Sequence, residues 1–580
     1  MSLGLFGKVG RVSVFGAVLL GAVSCIEINE HLGENLIPDD QKWDVFVPDP
    51  IEFRTGDIVL KPTDSLSAYS SRRFTFGSIS DENGISRKST SFTIIPIDNE
   101  IDLGENTRIR KFFFNAVRDT VSIARESDRN ILQNVYVYEL KKQLDSTILY
   151  TSDLTSRKTL EEYVNLDERI TSGIPIYDGG DSLSFEFNTR FAERFVEKVK
   201  NAKKDTLAHF VETVPGIYIT CDDPVSKGGR INMFDIALES DSYGYVTGNY
   251  AELKITADYK KEDGTFRKDV DTTFVFLFGP SSFVDSSSSS LPSQYAFNNS
   301  ENYHPDTPDA PDGKSYIPTD KMIIEGGSGL KPVIKASAVR ELMEEAIRKE
   351  LGNENMTDFN NVVINKATVF LPYDAANLEG GYDGVELFPP ILSPTIRLSS
   401  EDGNYISYAG LTDSSIESEN QGDINRSLCM YCPDLSHHFQ SILKLDNTDS
   451  DYQKKLDAKD VWFLIMHEET TTTTNNYDSS YYDNLMYAQY YNMMYGGYGG
   501  YGGYGYGGYG YGGYNNYGYG YNNYYNYLMM AQYMSGSSSS STTTSTELDK
   551  DRYYNCILNG PEAAIGEHPV LKFTFSLPMK

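Results

Sequence analysis

One pattern narrows the possible folds of this chain more than any other: a strand–helix–strand–strand order that occurs twice. The first occurrence runs NVYVYEL (134–140), a helical stretch, GIYIT (216–220) and AELKITADY (251–259). Its helix puts Phe187, Phe191, Phe195 and Val199 four residues apart, on one face. The second runs NKATVFLPY (365–373), DLSHHFQSILK (434–444), DVWFLIM (460–466) and VLKFTFSLP (570–578), with Asp434 as the expected N-cap of its helix. The likeness is one of pattern and spacing, not of identity.

Short strands of period two at this density predict antiparallel sheets stacked face to face. The expected fold is therefore mainly β: two tandem, jelly-roll-like β-sandwich domains with a few short helices and a disordered low-complexity insertion. The expected domains are residues 45–280 and 319–580, joined by a Ser/Pro/Asp-rich linker at 281–318 whose composition cannot bury a core. The clearest helix is 337–351, with an apolar stripe of Val339, Leu342, Met343, Ala346, Ile347 and Leu351 and a stop at Gly352. That stripe reads as domain core rather than as a partner groove. Asp306, Asp309 and Asp312 fall three apart, a poor match to a calcium loop, which needs oxygens two apart.

The N-terminus has the three parts of an export signal. Lys8 and Arg11 precede an apolar run, residues 12–23, too short to span a bilayer. Ala22-Val23-Ser24 then leads into Cys25, as in a bacterial lipoprotein signal, where the thiol takes a diacylglyceryl group before cleavage. Residues 1–24 read as the leader, Cys25 as the lipidation site and 25–44 as a polar tether. One acyl chain holds a protein only marginally, whereas two or three on one cysteine make release negligible. Removing the leader's two basic residues takes the formal charge from −31 to −33. So acidic a chain is not expected to bind nucleic acid.

Residues 470–546 are of low complexity: Thr, then Tyr/Asn/Met, then Gly-Gly-Tyr repeats, then Tyr/Asn/Met and Ser/Thr again. Because strands flank it, the stretch is an insertion in a loop, either an adhesive arm or a tolerated repeat expansion. After Cys25 four cysteines remain, Cys221, Cys429, Cys432 and Cys556, with three possible disulfide pairings. Cys429 and Cys432, followed by His437 and His438, superficially suggest a zinc or redox site but lack a second pair. The chain carries no nucleophile elbow, P-loop, dinucleotide fingerprint or zincin motif, so no catalytic residue, metal or cofactor is assigned. A carboxylate pair for glycoside hydrolysis leaves no sequence mark. Trp43 and Trp462 could stack on sugars, although Trp462 inside a strand reads as core.

HLGENLIPDD (31–40), FGSISDENG (76–84) and GSGLKPVI (327–334) ahead of INKATVFLP (364–372) together resemble a Bacteroidota lipoprotein family catalogued only as a domain of unknown function. The resemblance implies an outer-membrane lipoprotein of a Gram-negative bacterium, with no catalytic residues to carry over. Glu27 and Glu30 only partly match the acidic signal for surface export, so cell surface is favoured and the periplasmic face stays open. The expected role is a non-enzymatic binding or accessory subunit whose partner is an outer-membrane barrel or another envelope protein. Glycan binding or processing is one alternative, and an adhesin or fimbria-like subunit is the other.

Overall fold

The period-two runs form strands, and the computed structural model is mainly β, with antiparallel sheets and a few helices. It describes residues 42–579 apart from 64–65, 82–83, 98–100, 120–127, 145–156, 241–245, 284–290, 305–314, 374–387, 400–405, 412–419, 476–538 and 565. Cys25, the leader, most of the tether and the Asp306–Asp309–Asp312 series lie outside the described residues, as does the Gly/Tyr-rich stretch.

Two strands open the chain, β1 (Trp43–Phe46) and β2 (Ile58–Pro62). The first sandwich comes next: β3 (Arg73–Ser80), β4 (Ile85–Phe92), β5 (Glu105–Val117), β6 (Gln133–Leu140), β7 (Val164–Arg169), β8 (Ser182–Glu186), helix α1 (Thr189–Asn201), β9 (Ile217–Cys221), β10 (Gly228–Asp235), β11 (Tyr250–Lys260), β12 (Phe266–Phe278) and β13 (Ala296–Tyr303). One sheet has the order β7-β6-β9-β4, with β3 and β13 also on β4; the other has the order β8-β5-β11-β12. Both feed one core, in which Phe74 and Phe92 meet Phe114 across the sheets at centroid distances of 6.2 and 6.1 Å. Helix α1 starts where the Asn188 side chain accepts from the Phe191 amide at 2.8 Å, and it buries Phe191, Phe195 and Val199. Phe187 precedes the helix and packs on Phe191 at 5.0 Å.

The second sandwich uses β14 (Leu330–Ile334), α2 (Ala336–Leu351), β15 (Val363–Pro372), β16 (Ile391–Ser399), β17 (Ile406–Gly410), β18 (Met430–Tyr431), α3 (Ser436–Leu443), β19 (Val461–Asn475), β20 (Ser539–Leu548) and β21 (Val570–Pro578). Its sheets have the orders β17-β16-β19-β14-β2 and β18-β15-β21-β1. Helix α2 buries Val339, Leu342, Met343 and Ile347 in this core, as its stripe predicts, and ends at Gly352 with φ +60. Asp434 does not cap α3, whose N-cap is Leu435 without a side-chain bond. Its buried carboxylate accepts instead from the Thr368 hydroxyl and the Asn420 amide, tying β15 to the approach of the helix.

The two sandwiches repeat one another, with the first strand matched differently from the sequence reading. In each, a central strand (β9, β19) lies between a following-edge pair (β6-β7, β16-β17) and an earlier strand (β4, β14). In each, the opposite sheet sets the strand before the helix (β8, β18) and a later strand (β11, β21) on either side of a long strand, β5 or β15. INKATVFLP therefore corresponds to TRIRKFFFNAV (107–117), and NVYVYEL corresponds to ILSPTIRLS (391–399). A β-bulge supports the register: one extra residue, Arg110 or Asn365, stands between an Ile and a Lys in each long strand. Each bulged side chain donates to a hydroxyl on that later strand, Arg110 Nε to Thr256 at 2.7 Å and Asn365 Nδ2 to Ser576 at 2.6 Å.

Two expected boundaries move. β1 and β2 lie near the expected start of the first domain, yet they pair with β21 and β14 of the second sandwich. Within the expected linker, Ala296–Tyr303 is a strand of the first sandwich, registered along β4 from Ser91 to Ile85. Its polar residues are buried because they are bonded: Asn298 accepts from the Thr75 amide and the Thr90 hydroxyl and donates to Asp551.

That strand borders a polar seam between the sandwiches. Arg73 and Asp119, both buried, pair at 2.7 Å. Lys88 donates to the Lys550 carbonyl at 2.8 Å, and burial pushes its ammonium down to about 8. Lys331 is buried among neutral oxygens, the carbonyls of Gly329 and Gly327 at 3.1 and 3.3 Å and the Thr63 hydroxyl at 3.5 Å. Desolvation takes it down to about 7. The FGSISDENG and GSGLKPVI segments thus meet the seam, where Asp81 also accepts from Asn555 at 2.9 Å.

Candidate functional site

Among the described residues a cleft of about 480 Å³ opens at one end of the first sandwich, where β9 gives way to β10. The local sequence explains it. Pro224 has no N–H to continue the β9 ladder, and β10 re-enters through Gly228 and Gly229 at φ +112 and +117, which side chains rarely adopt. A Cβ on Gly229 would lie 2.3 Å from the Ser78 carbonyl oxygen, so this close backbone approach needs glycine.

Two carboxylates face the cleft. Asp223 accepts from Arg87 Nε at 2.8 Å and the Ser78 hydroxyl at 3.0 Å, and the Arg87 bond holds its carboxyl below the usual range. Asp222 accepts from the Tyr136 hydroxyl at 2.7 Å and Asn134 Nδ2 at 3.1 Å. That contact raises the Tyr136 phenol above its ordinary value. The Arg169 guanidinium lies 5.9 Å from the Tyr136 ring centroid.

Apolar side chains gather at the rim. Leu132 (66 % exposed) and Val225 (fully exposed) line the cleft, and Ile176 (60 %) is in register with Asn134 on the neighbouring strand pair. Lone exposed aliphatics are ordinary on a protein surface, but a group around a polar floor marks a contact site. The arrangement offers fixed acceptors within an apolar collar, which can orient a partner group that brings donors and its own apolar flank. Beside it, the Cys221 thiol is buried and pushed up to about 12 by desolvation, so it is no nucleophile.

The other residues singled out from sequence lie apart. Cys221, Cys429, Cys432 and Cys556 are free thiols, with Cys221 and Cys556 buried. His438 gives its Nε2 to the Lys459 carbonyl at 2.8 Å and is driven down to about 4 by burial, so it is not aligned with Cys429 and Cys432. Among the described residues no three His, Cys, Asp or Glu side chains are grouped to hold a metal ion. Trp462 is buried against Tyr408 at 5.6 Å, as a strand residue should be, while Trp43 is half-exposed on the edge strand β1. No described helix is long and apolar enough to cross a membrane. Sequence reading missed the cleft, although Asp222-Asp223-Pro224 followed by Gly228-Gly229 was its available mark.

No family model, curated protein or solved structure matches the chain.

Proposed function

We propose that this chain is a non-enzymatic, lipid-anchored lipoprotein of the bacterial outer membrane, a binding or accessory subunit of an envelope complex. Cys25 holds it to the bilayer at the cell surface, and the cleft around Asp222 engages a segment of the partner. The observation that carries this reading is the pair of exposed aliphatics, Leu132 and Val225, lining a cleft whose acceptors are already fixed by Tyr136, Asn134 and Arg87. Glycoside hydrolysis needs one carboxyl held protonated as a general acid. Asp223, held ionised by Arg87, does not fit the acid's part.

The test is a photo-crosslinker placed at Leu132 in intact cells, with a second at the distant, exposed Phe266 as control. A single envelope protein captured from Leu132 and lost on Asp222→Ala supports the reading. Equal capture from both positions, or none from Leu132, would overturn it. The polar floor beside Tyr136 gives a glycan ligand some support as well. Binding of the chain to an immobilised surface polysaccharide, abolished by Tyr136→Ala, would favour that alternative.

A further inference from the structure

Strand β19 does two different things along its length. From Val461 to Met466 it lies within a sheet, paired with β16 on one side and, at its start, with β14 on the other. From His467 to Asn475 its only partner among the described residues is β20, in unbroken register from His467↔Glu547 to Asn475↔Ser539. From His467, which is still buried, nine residues at ~3.4 Å each make a two-stranded ribbon about 30 Å long. Its root is fixed, with Glu547 accepting from Arg72 of the first sandwich at 2.9 Å. Beyond that root the ribbon sets Glu468 and Glu469 opposite Thr546 and Ser545, and then Thr470–Thr474 and Asn475 opposite Ser539–Thr544.

Three physical facts bear on this element. A two-stranded ribbon without an apolar face is marginal in water, and three strands are the usual minimum. Among the described residues 470–475 and 539–544 have no strand partner but each other, and these two stretches hold no Lys, Pro or carboxylate to blunt an edge. Threonine favours strands, and a run of near-identical residues can pair with itself in several registers, since no side-chain pattern penalises a slip. The formal charge of −31 opposes association through most of the surface, whereas this edge is uncharged.

We propose that the ribbon is a self-association surface whose occupant is a second copy of this chain. The open edge of one ribbon pairs antiparallel with the same edge of its mate about a two-fold axis, giving a four-stranded sheet. A two-fold contact uses the same patch on both partners, which a Thr/Ser edge of uniform composition satisfies. The inference is independent of the cleft and of its partner.

Sedimentation of the full chain carrying Cys25→Ser, so that lipid cannot drive association, tests this. The chain should be dimeric at tens of micromolar. Thr472→Lys with Thr543→Lys should weaken the dimer about tenfold or more, since edge lysines oppose strand pairing. A chain in which an Asn-Gly turn replaces 476–538 should still dimerise. A monomer throughout the concentration range, a dimer indifferent to the lysines, or a dimer lost with 476–538 while the ribbon stays would each overturn the proposal. Should the lysine variant fold poorly, Thr472→Cys gives a second readout. It should form an intermolecular disulfide not seen in the parent chain, and its absence under oxidation counts equally against the idea.

Discussion

Replacing Lys331 by methionine should stabilise the protein at neutral pH. The ammonium sits in the seam among three neutral oxygens, and burial lowers it from 10.5 to about 7. A fall from 10.5 to about 7, at about 1.4 kcal/mol per pH unit, places a cost on the order of 4 to 5 kcal/mol on the folded state up to about pH 7. The unfolded chain binds the extra proton between about pH 7 and 10.5, so wild-type stability gained from this site rises with pH across that window. Methionine keeps the length of the side chain and removes the charge. It leaves the Gly327 carbonyl bonded to the Thr63 hydroxyl at 2.8 Å and the Gly329 carbonyl bonded to the Thr63 amide at 3.4 Å. Losing the lysine's own bonds costs about 1 to 2 kcal/mol, so the net gain at pH 7 is about 2 to 4 kcal/mol. Urea unfolding followed by the fluorescence of Trp462, which is buried in the strand paired with β14, reads this directly. The gain over wild type should shrink as pH rises from 7 to 9.5. Lys88, lowered to about 8, remains in both proteins, so part of the pH dependence persists in the variant. A variant less stable at pH 7, or a difference that does not change with pH, would refute the reasoning.

Two further outcomes rest on burial. Phe112 packs on Phe187 at 4.5 Å and Phe195 at 4.9 Å in the first core, so Phe112→Ala should lower stability by about 3 to 5 kcal/mol, measured as a shift of the urea midpoint. Native protein treated with a maleimide should be modified at Cys429 and Cys432, which are partly exposed, whereas Cys221 and Cys556 should react only after unfolding; early labelling of Cys556, seen by peptide mass spectrometry, would contradict the burial of the strand Asn555–Asn559 that pairs with Lys321–Glu325.

How far the sequence was legible depended on whether burial was apolar. The α2 stripe and its Gly352 stop read directly, because every buried position of that helix is apolar and the stop needs a left-handed φ. β13 did not, because its sequence, AFNNSENY, has the composition of a linker; the strand is buried by hydrogen bonds from the opposite sandwich, which no local pattern reports. Lys331 was equally hidden, since its acceptors are main-chain carbonyls of the glycine turn before it. Period two located the repeat but matched its first strands one place off, because neighbouring strands of one sandwich alternate alike. Only the bulges at Arg110 and Asn365, a feature of pairing rather than of composition, set the alignment.

That alignment gives the cleft and the ribbon a common origin. β9 and β19 are equivalent central strands, and both features leave from the same end of them. In the first sandwich the strand stops at Cys221 and Pro224 breaks the ladder, so the chain folds back through Gly228 and leaves a concavity floored by Asp222 and Asp223. In the second, no proline stands between Met466 and Asn475, the ladder runs on through His467 into the threonines, and the same position becomes a two-stranded ribbon. A strand held by neighbours on both sides fixes its own end firmly while leaving the next segment free to vary, which is the usual condition for placing recognition elements on a rigid scaffold. The structural difference between these two strands therefore reduces to how each one ends, in a proline turn or in a β-continuing run. Exchanging these endings between the halves should move the concavity and the ribbon without disturbing either core.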